Sequence, residues 1–126
     1  MKLLVDTHLL LWWFADDARL PGKARGMLSD EQNEICISVA SLWEIVLKMY
    51  RGKLKVNPSE LLNEIHANQF NVVPIEAAHT LTYARLPQHH HDPFDRMLVA
   101  QATSESLRLL THDLQLQPYG ETVLLV

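Results

Sequence analysis

A single cysteine, Cys36, stands in 126 residues, so the chain can form no internal disulfide. Its setting, Ile35-Cys36-Ile37-Ser38, reads as a small buried hydrophobe rather than a reactive or metal-bound thiol. Long hydrophobic runs are also missing. The longest, Leu9-Leu10-Leu11-Trp12-Trp13-Phe14, is far too short to span a bilayer. The opening Met1-Lys2-Leu3-Leu4-Val5-Asp6 does not read as a secretory leader, because an acid and then His8 interrupt the apolar stretch and no small-residue cleavage site follows. No membrane association and a cytoplasmic location are the corresponding expectations. There is no repeat, no low-complexity tract and no linker. An excess of positive charge is lacking as well: the formal net charge is −4, which argues against a general basic nucleic-acid binder. Distribution matters more than the sum, because Lys48, Arg51, Lys53 and Lys55 fall within eight residues.

What remains is the composition of an ordinary globular domain, 48% hydrophobic and 21% charged, long enough to bury a core without staples. One domain over residues 1–126 is expected. Strand-like and helix-like segments alternate, the pattern of an α/β fold with a parallel sheet. Strands are expected at Lys2–Val5, Ile35–Ile37, Asn71–Val73, Leu107–Leu110 and Thr122–Leu125. Helices are expected at Thr7–Phe14, Leu20–Ser29 with Pro21 near its first turn, Val39–Arg51 capped by Ser38 and ended by Gly52, Ser59–Ala67 opened by Asn57-Pro58, and Ile75–Leu86. A last helix runs to about Ser106, with Asp92 as N-cap and Pro93 in its first position. Leu3-Leu4-Val5 and Leu107–Leu110 are continuously apolar, as in strands covered on both faces, so a three-layer α/β/α sandwich follows.

Ligands of open parallel sheets bind beyond the carboxyl ends of the strands. Asp6 lies just past the first strand and Asp113 two residues past Thr111, where the fourth ends. Glu44 flanks the apolar stripe Val39, Leu42, Trp43, Val46 and Met49 of its helix; taken alone, it also suits an i,i+4 pair with Lys48. Asp95 heads a stripe of Leu98, Val99 and Ala102, where a charge needs a partner. Each acid alone has an ordinary structural role open to it, since Asp6, Asp92 and Asp113 can all cap helices. Four acids sharing one sheet edge would repel one another and raise their own pKa values unless a cation sat among them. Oxygen-only ligands suit Mg²⁺ or Mn²⁺ rather than zinc.

Four blocks carry a resemblance: Met1-Lys2-Leu3-Leu4-Val5-Asp6-Thr7-His8, Ser41-Leu42-Trp43-Glu44-Ile45, His91-Asp92-Pro93-Phe94-Asp95-Arg96-Met97-Leu98-Val99-Ala100-Gln101-Ala102, and Leu109-Leu110-Thr111-His112-Asp113. In this order they resemble the PIN-domain toxins of bacteria and archaea, the VapC-like group. The resemblance implies a parallel sheet of about five strands and a pocket for one or two Mg²⁺ or Mn²⁺ ions. It implies Asp6, Glu44, Asp95 and Asp113 as metal and catalytic residues, with Asp6 and Asp95 the direct ligands and Asp113 the position that varies most. It also implies hydroxyls near the site at Thr7 and Thr111. The implied activity is metal-assisted endoribonuclease cleavage, in which Glu44 or Asp113 helps to take a proton from the attacking water. A homodimer and a silencing antitoxin partner are implied too.

For substrate contact the residues offer Thr7, Arg96, Lys48 and Arg51. The cations of the stretch Lys48–Lys55 suit an RNA backbone or a solvated helix end equally, and Arg96 suits a phosphate or a surface ion pair equally. His89-His90-His91 cannot all reach one ion, and phosphate contact or pH-sensitive solubility is the expectation for them. The tryptophans of Leu9–Phe14 suit core packing first and a dimer or antitoxin interface second. Other readings are a phospho-receiver module, a non-catalytic binding module on the same fold, and a metal-dependent DNase. A receiver needs paired acids after the first strand, an acceptor Asp after the middle strand and a late lysine. Here the first strand ends in one Asp, the middle strand in Ser38, and the last lysine is Lys55.

Overall fold

A computed structural model describes all 126 residues. The elements are β1 (Lys2–Val5), α1 (Thr7–Phe14), α2 (Gly22–Ser29), β2 (Glu34–Ser38), α3 (Val39–Tyr50), α4 (Pro58–Ala67), β3 (Asn71–Val73), α5 (Ala77–Arg85), α6 (Pro93–Ser104), β4 (Arg108–Thr111), a 3₁₀ stretch (Leu114–Thr122) and β5 (Val123–Leu125). The five strands form one parallel sheet in the order β3-β2-β1-β4-β5. No helix is long and apolar enough to cross a membrane.

The continuous apolar strands are buried on both faces, as expected. Leu3 and Val5 of β1, Ile35 and Ile37 of β2, and Leu110 of β4 face one core with Leu9, Leu10, Ile45, Leu61 and Ile65. Leu4, Cys36 and Leu109, each one residue out of phase, face the other core with Leu98, Val99, Ala102 and Leu116. Period-two alternation therefore distributes each run between two helical layers. Burying roughly a dozen fully enclosed large side chains, most of them Leu or Ile, is the main stabilising term, at about 1.5–3 kcal/mol each before chain entropy is set against it.

Helix starts follow the expected caps. Ser38 Oγ accepts from the Ala40 amide, Asn57 Oδ1 from Ser59 and Glu60, and Asp92 Oδ1 from Phe94 and Asp95. Arg51 closes α3, and Gly52 at φ +70° takes the left-handed turn that a side chain would oppose. Two helices are shorter than expected. The α2 helix begins at Gly22, with Pro21 outside it in the N-cap position, and α5 begins at Ala77, where the Glu76 and His79 side chains and backbones cap one another reciprocally.

The topology places the site. From β1 the chain moves outward to β2 and β3, then returns to the other side of β1 for β4 and β5. The order therefore reverses between β1 and β4, where a crevice opens at the carboxyl edge. The same edge receives the N-termini of α1, α3 and α6.

Candidate metal centre

Asp6 and Asp113 leave the two strands that flank the reversal. Asp6 is 3% exposed and fully engaged: Oδ1 accepts from the His8 amide at 2.7 Å and Oδ2 from the Thr111 hydroxyl at 2.8 Å. Burial alone would raise its pKa. The His8 imidazole, the Thr111 hydroxyl and the His8 amide outweigh burial, and the carboxyl titrates below its ordinary value. His8 Nδ1 lies 3.7 Å from Oδ1, and this carboxylate holds the His8 pKa above the usual imidazole value. Asp6 is thus both a helix cap and a charged member of the cluster; the two roles are compatible because a carboxylate oxygen that accepts one hydrogen bond keeps a second lone pair.

Asp95 stands in the first turn of α6, whose N-terminus faces the crevice. Burial first, and then the charges of Asp6, Asp92, Glu44 and Asp113, push its carboxyl up to about 8. Glu44, 6% exposed on α3, pairs through Oε2 with Lys48 Nζ at 3.2 Å. Its other oxygen, Oε1, is the one buried side-chain polar atom of the protein without a hydrogen-bond partner. The Lys48 pair anticipated from spacing is present, with its carboxylate buried and its lysine partly solvated. Asp113 is the most open acid. It caps the 3₁₀ stretch through Oδ1, which accepts from Gln115 N at 2.9 Å.

These observations fit a divalent cation. The donors are carboxylate oxygens, one buried oxygen has no partner, and one carboxyl is driven toward neutrality by its neighbours' charge. Ligand atoms of Asp95, Asp113 and His90 lie within 4.8 Å of one another. Asp6 and Glu44 stand outside that triplet but close enough to act electrostatically on Asp95.

Two of the candidate substrate-binding residues are already engaged within the fold. Arg96 turns inward. It is 9% exposed, its Nη1 donates to Pro87 O at 3.1 Å and Tyr119 Oη at 3.2 Å, and its guanidinium lies over the Tyr83 ring at 4.8 Å. Three acceptor groups and a ring face make this the low-energy seat for a buried guanidinium. Thr7 is not free either: its buried hydroxyl donates to Ser41 Oγ at 2.9 Å and ties α1 to α3. Arg51 stands in solvent at the end of α3, two turns beyond Glu44, and only Lys48 of the basic stretch reaches an acid of the site. Sequence reasoning treated His89-His90-His91 as one run and did not single out His90, which reaches both Asp95 and Asp113; its place two residues before the cap Asp92 was the available signal.

Fold and site together define a doubly wound parallel domain with a cluster of acids at its switch point. A family model described as PIN domain matches residues 3–121, and the chain belongs to that family. A curated relative, Ribonuclease VapC22 of Mycobacterium tuberculosis, is 27% identical over 122 residues, covering 93% of this chain and 91% of its own. Among solved structures, the fold is similar to VapBC2 of Rickettsia felis bound to a promoter DNA fragment, with TM-score 0.74, 18% identity, and coverage of 100% of this chain and 98% of that one. It is also similar to a toxin–antitoxin complex of Klebsiella pneumoniae, with TM-score 0.66, 21% identity, and coverage of 97% and 95%.

Proposed function

We propose that the protein is a Mg²⁺-dependent endoribonuclease, with Mn²⁺ able to replace Mg²⁺, and that it serves as the toxin of a toxin–antitoxin pair. The observation that carries the reading is the combination of an unpartnered buried Glu44 Oε1 with an Asp95 carboxyl held near neutrality by four other acids. The family and the curated ribonuclease relative support RNA as the substrate over DNA.

Asp6, Asp95 and Asp113 are the residues that would hold the ion. When bound, a divalent ion activates water as a nucleophile and offsets charge on the phosphate. Glu44 Oε1 has the free lone pairs to orient that water and accept its proton. Water oxygen bonds to phosphorus, the P–O ester bond breaks, and the departing oxygen is protonated from solvent. The hydroxyl of Thr111 keeps Asp6 charged and oriented for this task.

Two surfaces suit the partners. Beside His8, a cleft of about 480 Å³ is lined by Leu11, Trp12, Phe14, Leu54 and Val56, with charges of both signs at its rim; an antitoxin segment with apolar anchors would fill it. On α3 and α5, Trp43 is 56% and Leu81 62% exposed, and Trp43 borders an apolar hollow with Ile75, Pro93 and Met97. A second copy of the chain is the occupant proposed there. The cytoplasm is the proposed location.

The test is cleavage of a mixed RNA pool, with single-stranded DNA in parallel, in Mg²⁺ or Mn²⁺, in EDTA, and with an Asp6→Asn, Asp95→Asn double variant. RNA cleavage lost in EDTA and in the variant is expected. A folded, antitoxin-free protein that cleaves nothing would make the non-catalytic binding module the better reading, and cleavage of DNA alone would favour the DNase.

A further inference from the structure

The site as described has four acids and very few donors for a phosphodiester. Lys48 is taken by Glu44, Thr7 by Ser41, and Arg96 by carbonyls. Two imidazoles remain at the acids: His8, 3.7 Å from Asp6 Oδ1 and largely exposed, and His90, whose ring the loop fixes in place. His90 Nδ1 accepts the Asp92 amide at 3.0 Å, so that nitrogen carries no proton and Nε2 must bear the ring hydrogen. Turning the ring over would set a C–H against that amide and leave both faces unsatisfied. A nitrogen that bears hydrogen has no lone pair for a metal, which separates His90 from the oxygen ligands around it.

The Nε2–H group lies 3.2 Å from Asp113 Oδ2 and 3.5 Å from Asp95 Oδ2. Charge-assisted bonds of this kind close to about 2.7–2.9 Å when donor and acceptor are matched. The His90 donor therefore bonds to Asp113 at the long end of the ordinary range, with Asp95 as a more distant second acceptor. Its side chain is only 11% exposed, and its outward neighbour, Asp113, is 36% exposed. The hydrogen thus lies between a partly buried acid and a more open one.

Arg96 explains how a loop residue is held there. Its guanidinium grips Pro87 O, sits 3.5 Å from His90 O, and is itself fixed between Tyr119 Oη and the Tyr83 ring. His89 packs edge-on to Tyr119 at 5.1 Å, which anchors the same turn from its other side. The Asp92 amide that orients His90 belongs to the cap of α6, the helix that carries Asp95. Donor and acid are consequently parts of one rigid unit.

We propose that His90 is a substrate-binding residue, its Nε2–H donating to a non-bridging oxygen of the scissile phosphate, and that Arg96 is the positioning residue that holds it there. The inference rests on the nuclease reading. Of the residues to which the sequence offered a phosphate contact, Arg96 and the run His89-His90-His91, it assigns that contact to His90 and leaves His89 and His91 out of the site.

The test combines three measurements on the full chain. They are Mn²⁺ binding without RNA, followed by electron paramagnetic resonance; binding of a labelled single-stranded RNA in Ca²⁺; and kcat and KM for RNA cleavage in Mn²⁺. For His90→Ala the expected result is a loss of about 10- to 100-fold in RNA affinity and in kcat/KM, the weight of one hydrogen bond to a charged group. Mn²⁺ affinity stays within about threefold of the wild type. His90→Gln, which keeps an N–H donor, recovers part of the loss. Arg96→Lys produces a loss of the same kind in the wild-type background and adds little to His90→Ala. Mn²⁺ binding weakened by tenfold or more in His90→Ala would make His90 a metal ligand and overturn the proposal. Tighter Mn²⁺ binding with undiminished RNA cleavage would make it a plug that competes with the ion, and overturn it likewise. Additive losses from Arg96→Lys and His90→Ala would remove Arg96 from the positioning role. A wild-type protein that binds Mn²⁺ but cleaves no RNA defeats the nuclease reading itself, and this inference with it, whatever the variants do.

Discussion

The Thr111 hydroxyl donates to Asp6 Oδ2 at 2.8 Å and accepts the Asp113 backbone N–H at 3.1 Å, so one buried oxygen joins the acids of β1 and β4. Thr111→Val keeps the shape and deletes both bonds. It is expected to cost about 1–3 kcal/mol of stability, the penalty for stranding buried polar groups, and to weaken Mn²⁺ binding as Asp6 loses one of the contacts that keep its pKa low. Thr111→Ser restores most of both losses. Urea unfolding and Mn²⁺ titration are the measurements, and a valine variant equal to the wild type in both removes Thr111 from the account.

Asp95 supplies a pH dependence whose sign is set by its folded-state pKa, near 8, against an ordinary carboxyl near 4 when unfolded. Between those values the folded, metal-free protein holds a proton that the unfolded chain has released. Stability from this group is therefore full below the lower value and is lost as pH rises through about 8. Metal-free protein is expected to lose thermal stability progressively from about pH 4 to about pH 8 and to level off above that, and Asp95→Asn to flatten that slope. Because the metal-binding form is the carboxylate, Mn²⁺ binding at pH 7 is expected to release close to one proton from Asp95. Calorimetry in buffers of different ionisation enthalpy reads that proton directly; no release, with an unchanged slope in the asparagine variant, refutes the assignment.

Lys48 provides the only counter-charge seen at the Glu44 carboxylate. Lys48→Met leaves that carboxylate buried beside the other acids, and a loss of about 1–3 kcal/mol is expected, less than for a fully enclosed pair because the lysine is partly solvated. Adding Glu44→Gln should recover most of it. Saturating Mn²⁺ should also stabilise Lys48→Met more than the wild type, since the ion takes over the role of the ammonium group. Equal stabilisation of the two proteins in melts with and without Mn²⁺ would count against Glu44 belonging to the metal site.

Trp43 tests the proposed dimer. It is largely exposed and packs edge-on against Phe94 at 5.2 Å. Trp43→Ser, with little buried area to lose within its own chain, is expected to shift the protein from dimer to monomer at micromolar concentration and to leave the circular dichroism spectrum unchanged. Sedimentation velocity decides between them, and a wild-type protein that sediments as a monomer throughout refutes the dimer at once.

Features governed by near neighbours along the chain were legible in the sequence. The capped start at Asp92-Pro93, the Ser38 cap, the left-handed Gly52 and the Glu44–Lys48 spacing all formed as read, because each depends on residues within about one helical turn. Asp6, Glu44, Asp95 and Asp113 could be picked out because strand ends and helix starts in a parallel α/β chain share one edge, a consequence of topology rather than of detailed packing.

The fate of Arg96, Thr7 and His90 was not legible in that way. Arg96 lies beside Asp95 in sequence, but its partners are Pro87, Tyr83 and Tyr119, which come from a loop, another helix and the 3₁₀ stretch. Thr7 meets Ser41 only after α1 packs on α3. His90 differs from His89 and His91 solely because the Asp92 amide and the Arg96 grip aim its ring at the acids. The sequence by itself determined which residue types stand at the sheet edge, through caps and apolar periodicity that act over short separations. Only the tertiary structure decided which of them are already engaged and which still have a hydrogen or a lone pair to offer, because that depends on contacts closed between elements far apart in the chain.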